Sequence, residues 1–168
     1  MSVHQHKQGK ESINCMIITI SDTRTEESDK SGNLMAALLE EAGHVVAEKT
    51  IVPDQMHAIR DSVTNGCENA NVDIILTNGG TGIANRDVTI ETIQPMLDKE
   101  MSGFGEIFRV LSYQEDIGSA AALSRAIAGV IGRTAIFATP GSSGAVKLAM
   151  NKLIVPELNH VVNELRKK

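Results

Sequence analysis

The chain has no tryptophan, one tyrosine and three phenylalanines in 168 residues. Without aromatic faces for bases to stack on, and with a net charge of −5, it offers neither the platform nor the basic groove of a nucleic-acid binder. Long apolar runs are missing too: none approaches the roughly 20 residues that a membrane-spanning helix needs. The first dozen residues are polar and lack the apolar stretch of a signal peptide. Cys15 and Cys67 have no paired spacing, and the five histidines are scattered without zinc-ligand spacing. From these absences we expect a cytoplasmic protein with reduced thiols, and neither a nucleic-acid nor a membrane partner.

What remains is ordinary globular material, 42% apolar and 22% charged. Residues 1–12 are expected to form a flexible N-terminal tail and residues 13–168 a single domain, long enough for a core without disulfide or metal staples. Ile13 to Ile20 is apolar on both alternating faces, the pattern of a central strand covered on both sides by helices. A helix is expected from Asp29 or Ser31 to Gly43, a second strand over Val45–Val52, and a helix from Gln55 to about Asn65 with Asp54 as its cap. Pro95 should kink or split a helix over Thr89–Lys99. Met101–Tyr113 and Ser119–Arg125 have helical spacing, and Ala126–Gly132 is a poor, glycine-containing strand. Thr134–Thr139 is a clearer buried strand, and a closing helix starts near Ser143 and restarts at Pro156. Strands and helices alternate, so the expected fold class is α/β, a three-layer α/β/α sandwich with a mainly parallel sheet.

The centre of the pattern is Asp73-Ile74-Ile75-Leu76-Thr77-Asn78-Gly79-Gly80-Thr81-Gly82, followed by Ile83 to Thr89. An apolar run opens into a loop with three glycines in four residues, and Thr89 stands where a helix N-cap belongs. Such a loop lets backbone N–H groups approach phosphate oxygens, although a tight turn without ligand has the same composition. Arg86 supplies a cation for phosphate charge, and Asp87 a carboxylate for magnesium or a proton. Four loops are expected to meet at the carboxyl edge of the sheet: Ser21–Thr25, Pro53-Asp54, Gly79–Asp87 and Pro140–Gly144. Two carboxylates beside phosphate donors suit magnesium-assisted phosphoryl or nucleotidyl transfer. Asp54 could equally cap its helix, and Ser21 and Asp22 could be plain turn residues.

Thr77-Asn78-Gly79-Gly80-Thr81-Gly82 with Arg86-Asp87-Val88-Thr89 resembles the signature of the molybdenum cofactor biosynthesis family, MoaB/MogA type. Ser21-Asp22-Thr23, Asp29-Lys30-Ser31-Gly32, Val52-Pro53-Asp54, Gly103-Phe104-Gly105-Glu106, Leu123-Ser124-Arg125-Ala126 and Pro140-Gly141-Ser142 match it in the same order, from Ile13 to the end. The resemblance implies a molybdopterin-binding domain that forms homotrimers or homohexamers. In the family's active branch, AMP passes from magnesium-ATP to the terminal phosphate of molybdopterin. By that likeness Asp54 and Asp87 are the catalytic, magnesium-holding pair, and Gly79, Gly80, Thr81 and Gly82 cradle phosphates. Ser21, Asp22, Ser124, Arg125, Pro140, Gly141 and Ser142 lie around the pterin and its phosphate. Asn78, where a second threonine is common, and Ser142-Ser143-Gly144, without a second proline, look like the B branch, which also contains members without the transferase activity. A non-catalytic molybdopterin-binding or assembly protein is therefore the alternative. A generic dinucleotide-binding domain fits poorly, since no Gly-x-Gly-x-x-Gly follows the first strand. Phe104 and Phe108 are candidates for core or subunit contact.

Overall fold

The computed structural model describes residues 11–168. Six strands form one sheet in the order β2-β1-β3-β6-β5-β4. They are β1 (Asn14–Ile20), β2 (Val45–Val52), β3 (Ile74–Asn78), β4 (Lys99–Glu100), β5 (Ile127–Ile131) and β6 (Thr134–Thr139). β2, β1, β3 and β6 run parallel, whereas β5 runs antiparallel to β6 and β4 antiparallel to β5. The helices are α1 (Lys30–Glu41), α2 (Met56–Glu68), α3 (Thr89–Ile93), α4 (Ser102–Glu115), α5 (Ser143–Ala149) and α6 (Val155–Arg166). A π-helical turn, Met150–Ile154, links the last two.

Alternation along the central strands divides the core in two. Cys15, Ile17, Ile74, Leu76, Ala135 and Phe137 pack against α1, α4, α5 and α6 through residues such as Met35, Leu39, Phe108, Val146 and Leu158. Met16, Ile18, Ile75, Ile136 and Ala138 pack against α2 and α3 through Ile59, Val63 and Ile93. The expected α/β/α layering is therefore present, with a mixed, mostly parallel sheet. Phe104 sits edge-on to Phe137 at 5.3 Å between ring centroids, and Phe108 is fully buried, so the phenylalanines belong to the core. The exposed apolar residues of α4 are Ile107, Val110 and Tyr113 instead.

Several local expectations need correction. Pro95 does split its helix, but the chain continues as a 3-10 turn, Gln94–Met96, and then as the short edge strand β4. Gly118–Leu123 is 3-10 rather than α-helical. Asp54 does not cap α2: Gln55 holds the N-cap position without a side-chain bond. Thr89 is the first residue of α3, not its cap. Of the expected tail, residues 1–10 lie outside the described residues, while Glu11 is tied to α6 through its N–H to Asn159 Oδ1 at 3.0 Å and its carboxylate to Arg166 at 2.7 Å.

Candidate active site

The four parallel strands end at one edge, and their loops are laced together there. Ser21 Oγ accepts from the N–H groups of Thr23 and Arg24, both at 3.2 Å, which folds the loop after β1 back on itself. Asp22 and Asp54 then bond reciprocally: Asp54 N–H donates to Asp22 Oδ1 at 2.9 Å and Asp22 N–H to Asp54 Oδ2 at 3.1 Å. This exchange, not helix capping, is what the Asp54 carboxylate does locally. Arg24 Nη2 and Ser31 Oγ both donate to Gly141 O, at 2.8 and 2.9 Å, pinning the loop after β6.

Gly79 and Gly80 have φ of +99° and +67°, a region costly for other residues. A Cβ on Gly79 would lie 2.2 Å from the Ile20 carbonyl oxygen. Gly79 N–H bonds Thr139 O at 3.0 Å, and Thr89 bonds the loop from the other side, Oγ1 to Gly79 O at 2.9 Å and N–H to Gly80 O at 3.0 Å. Close packing against protein already requires these two glycines. What is left over is polar: the N–H groups of Gly80, Thr81 and Gly82 donate to no protein acceptor among the described residues.

Together the loops enclose a hollow of about 140 Å³. Ser21, Asp22, Asp54, Gly79, Gly80, Arg86, Asp87 and Gly141, all named as site residues from sequence, line it, as do Ile20 and, from the expected Ser21–Thr25 loop, Thr23 and Arg24, which were not so named. Arg24 carries no motif of its own, and its place here comes from the fold of its loop. Thr81, Gly82, Ser124, Arg125, Pro140 and Ser142 do not line the hollow. Ser142 caps α5, its Oγ accepting from Ala145 N–H at 3.2 Å. Arg125 reaches the glycine loop from behind, donating to Thr81 O and Gly82 O.

Charge in the hollow is partly unbalanced. Partial burial, with the neighbouring Asp22 and Asp87 charges, holds the Asp54 carboxyl above the usual carboxylate range, against the Asp22 N–H bond and Arg86, which lower it. A cation would relieve that repulsion. Among the described residues no group of three or more His, Cys, Asp or Glu could hold a metal by itself. Two carboxylates lining the hollow, Asp54 and Asp87, are the kind of donor set from which magnesium is held together with water and substrate phosphates. Beneath the hollow, Thr19, Asn78 and Thr139 stand side by side on three paired strands, fully buried. Asn78 Nδ2 donates to Thr19 Oγ1 at 3.0 Å and Thr19 Oγ1 to Asp29 Oδ2 at 2.8 Å, so Asn78 helps seat the buried carboxylate that caps α1.

The family model described as "Probable molybdopterin binding domain" matches residues 16–160, a span that includes every loop of the hollow. This chain belongs to that molybdopterin-binding-domain family. It is 64% identical over 168 residues to the Bacillus subtilis (strain 168) "Molybdenum cofactor biosynthesis protein B", covering 99% of both chains. A crystal structure of a Molybdenum cofactor biosynthesis protein B matches with a TM-score of 0.94 at 58% identity, over 96% of this chain and 100% of that one. The tungsten cofactor synthesizing protein MoaB from Pyrococcus furiosus matches with a TM-score of 0.82 at 38% identity, over 94% and 99%. Membership agrees with the resemblance drawn from the glycine loop and its companion motifs.

Proposed function

We propose that this member of the molybdopterin-binding-domain family acts in molybdenum cofactor biosynthesis by transferring AMP from magnesium-ATP to the terminal phosphate of molybdopterin. The observation that carries the reading is that Asp54 and Asp87, far apart in sequence, line one polar hollow together with Arg86 and the glycine turn. In the reaction a phosphate oxygen of the pterin attacks the α-phosphorus of ATP and the bond to pyrophosphate breaks, so no side-chain nucleophile is needed. Magnesium, bound through Asp54 and Asp87, would offset phosphate charge. Arg86 and the Gly80 N–H, which donates to no protein acceptor among the described residues, supply further positive ends for the same charge. At about 140 Å³ the hollow has room for phosphate and not for a nucleotide or pterin ring system, whose sites run to roughly 300 Å³ and more. On this proposal the rings rest on the surrounding rim.

The same reading includes a homotrimer or homohexamer. Exposed Val110 and Tyr113 on α4 line an apolar groove of about 420 Å³ with Ala121 and Ala122, a surface suited to a second copy. Two free cysteines fit a cytoplasmic setting, and among the described residues no helix is long and apolar enough to cross a membrane. The test is calorimetry with molybdopterin alone, magnesium-ATP alone and both, followed by pyrophosphate release. Product formed only with both ligands supports the enzyme; pterin binding without ATP binding or turnover identifies a carrier and refutes the transferase.

A further inference from the structure

Arg125 precedes β5, and because β5 runs against β6 it arrives at the same edge that the parallel strands leave. Its guanidinium, with five N–H groups, makes four hydrogen bonds. Nε donates to Thr81 O at 2.9 Å, Nη2 to Gly82 O at 2.6 Å and to Glu91 Oε2 at 3.3 Å, and Nη1 bonds Glu91 Oε1. The Arg125 bond holds the Glu91 carboxyl below its usual range, so the pair stays charged under mildly acidic conditions.

Two successive carbonyls turned toward one guanidinium orient two successive peptide planes. Since each peptide is planar and trans, the N–H groups of Gly82 and Ile83 point away from Arg125. The same planes abut the catalytic candidate. A Cβ on Gly82 would lie 2.6 Å from Asp87 Oδ2, and that oxygen accepts from Ala84 N–H at 3.0 Å. Asp87 N–H in turn bonds Ala84 O at 2.9 Å. Arg125 thus grips one end of a compact turn whose other end carries Asp87.

We propose that Arg125, held by Glu91, is a positioning residue that sets the 81–87 turn and presents Asp87 to the hollow, and that it is not an anion ligand. The consequence for AMP transfer rests on the function proposed above; the consequence for the turn does not. Arg125→Lys keeps the charge and loses the fork. In the full chain without ligands, amide hydrogen exchange at Ala84 and Asp87 should rise by about 10-fold in Arg125→Lys, and by only about 2- to 3-fold in Glu91→Gln, which leaves both carbonyl bonds in place. In the transfer assay, Arg125→Lys should lower kcat by about 10- to 100-fold with KM for molybdopterin within about 2-fold of wild type.

Unchanged exchange at Ala84 and Asp87 overturns the proposal whatever the reaction turns out to be. Faster exchange with unchanged kcat also overturns it, by severing the turn from Asp87. A KM increase of about 10-fold at constant kcat would make Arg125 a ligand, the opposite assignment. If the wild-type chain shows no AMP transfer, the reaction fails on its own and the exchange measurement still decides whether Arg125 sets the turn.

Discussion

The two edges of the sheet hold cavities that differ in the reverse order of their chemistry. At the amino edge, a cavity of about 430 Å³ is lined by Cys67, Asp73, Arg133 and Arg166 among others. Its acid is matched: Asp73 Oδ2 accepts from Asn14 N–H at 3.0 Å and Oδ1 lies 3.7 Å from Arg166 Nη2. At the carboxyl edge the hollow is a third of that size, yet Asp54 is pushed toward protonation by burial and by two other carboxylates. Size measures where the packing leaves room. Unbalanced charge measures where something is still to be bound.

The contrast breaks most readily at the acidic pair. If the proposed AMP transfer is the reaction, Asp54→Ala and Asp87→Ala should each lower it by at least about 100-fold while molybdopterin affinity, followed by calorimetry, stays within about 3-fold. Comparable turnover in either variant would remove the carboxyl edge's claim to chemistry.

Next in size is a backbone effect. Gly80→Ala places a Cβ 2.3 Å from Thr89 Oγ1 and 3.0 Å from Asp54 Oδ1, at φ +67°. Urea unfolding should show a loss of about 2–4 kcal/mol. Gly43, at φ +88° with nothing within 4 Å of the added atom, isolates the conformational part; Gly43→Ala should cost about 1 kcal/mol. Equal losses would mean that crowding at the rim contributes nothing.

The third effect sharpens the electrostatic half of the comparison. Because the Asp54 carboxyl titrates above its unfolded value, its ionisation destabilises the native state: the stability it contributes is full below the unfolded pKa and is lost as pH rises through the folded one. Asp54→Asn, which keeps an acceptor for Asp22 N–H, should therefore be more stable than wild type at neutral pH by up to about 1 kcal/mol, with the advantage vanishing in acid. A thermal melt series across pH, run without magnesium or nucleotide, checks it.

Smallest is the amino edge itself. Arg133→Ala should leave AMP transfer within about 2-fold and stability within about 0.5 kcal/mol. A large loss of transfer there would tie the bigger cavity to the reaction.

Much of this was legible in sequence because it is local. The β-branched run ending in Gly79-Gly80 and the double-faced apolar pattern of β1 each announce themselves within a few residues, whereas local pattern narrows the start of α1 only to Asp29 or Ser31, of which Asp29 is the cap. Strand direction does not announce itself: Ile127–Ile131 reads alike in either sense, and the reversal of β5 appears only when its partners are known. β4 is two residues long and has no period to detect. Thr89 looked like a cap because its type and place suit one, but its hydroxyl holds Gly79 O instead. Family resemblance alone places Arg125 near the pterin phosphate; its bonds to the glycine turn are out of reach of local sequence because those acceptors lie 43 and 44 positions upstream. Asp54 and Asp87 were legible as acids of interest, whereas the reciprocal lock of Asp54 with Asp22 needed both loops folded.

The hairpin joining β5 to β6 turns on Gly132 and Arg133, with Gly132 at φ +60° and Ile131 opposite Thr134, the pattern of a type II′ turn. That far-off bend is a ruler for the opposite rim. A one-residue insertion taken up as a strand slip, rather than absorbed as a three-residue loop, slides β5 by roughly 3.3 Å, enough to carry Arg125 off both carbonyls while every rim residue keeps its identity. An insertion a whole strand away would thus mistune the glycine turn through registry alone.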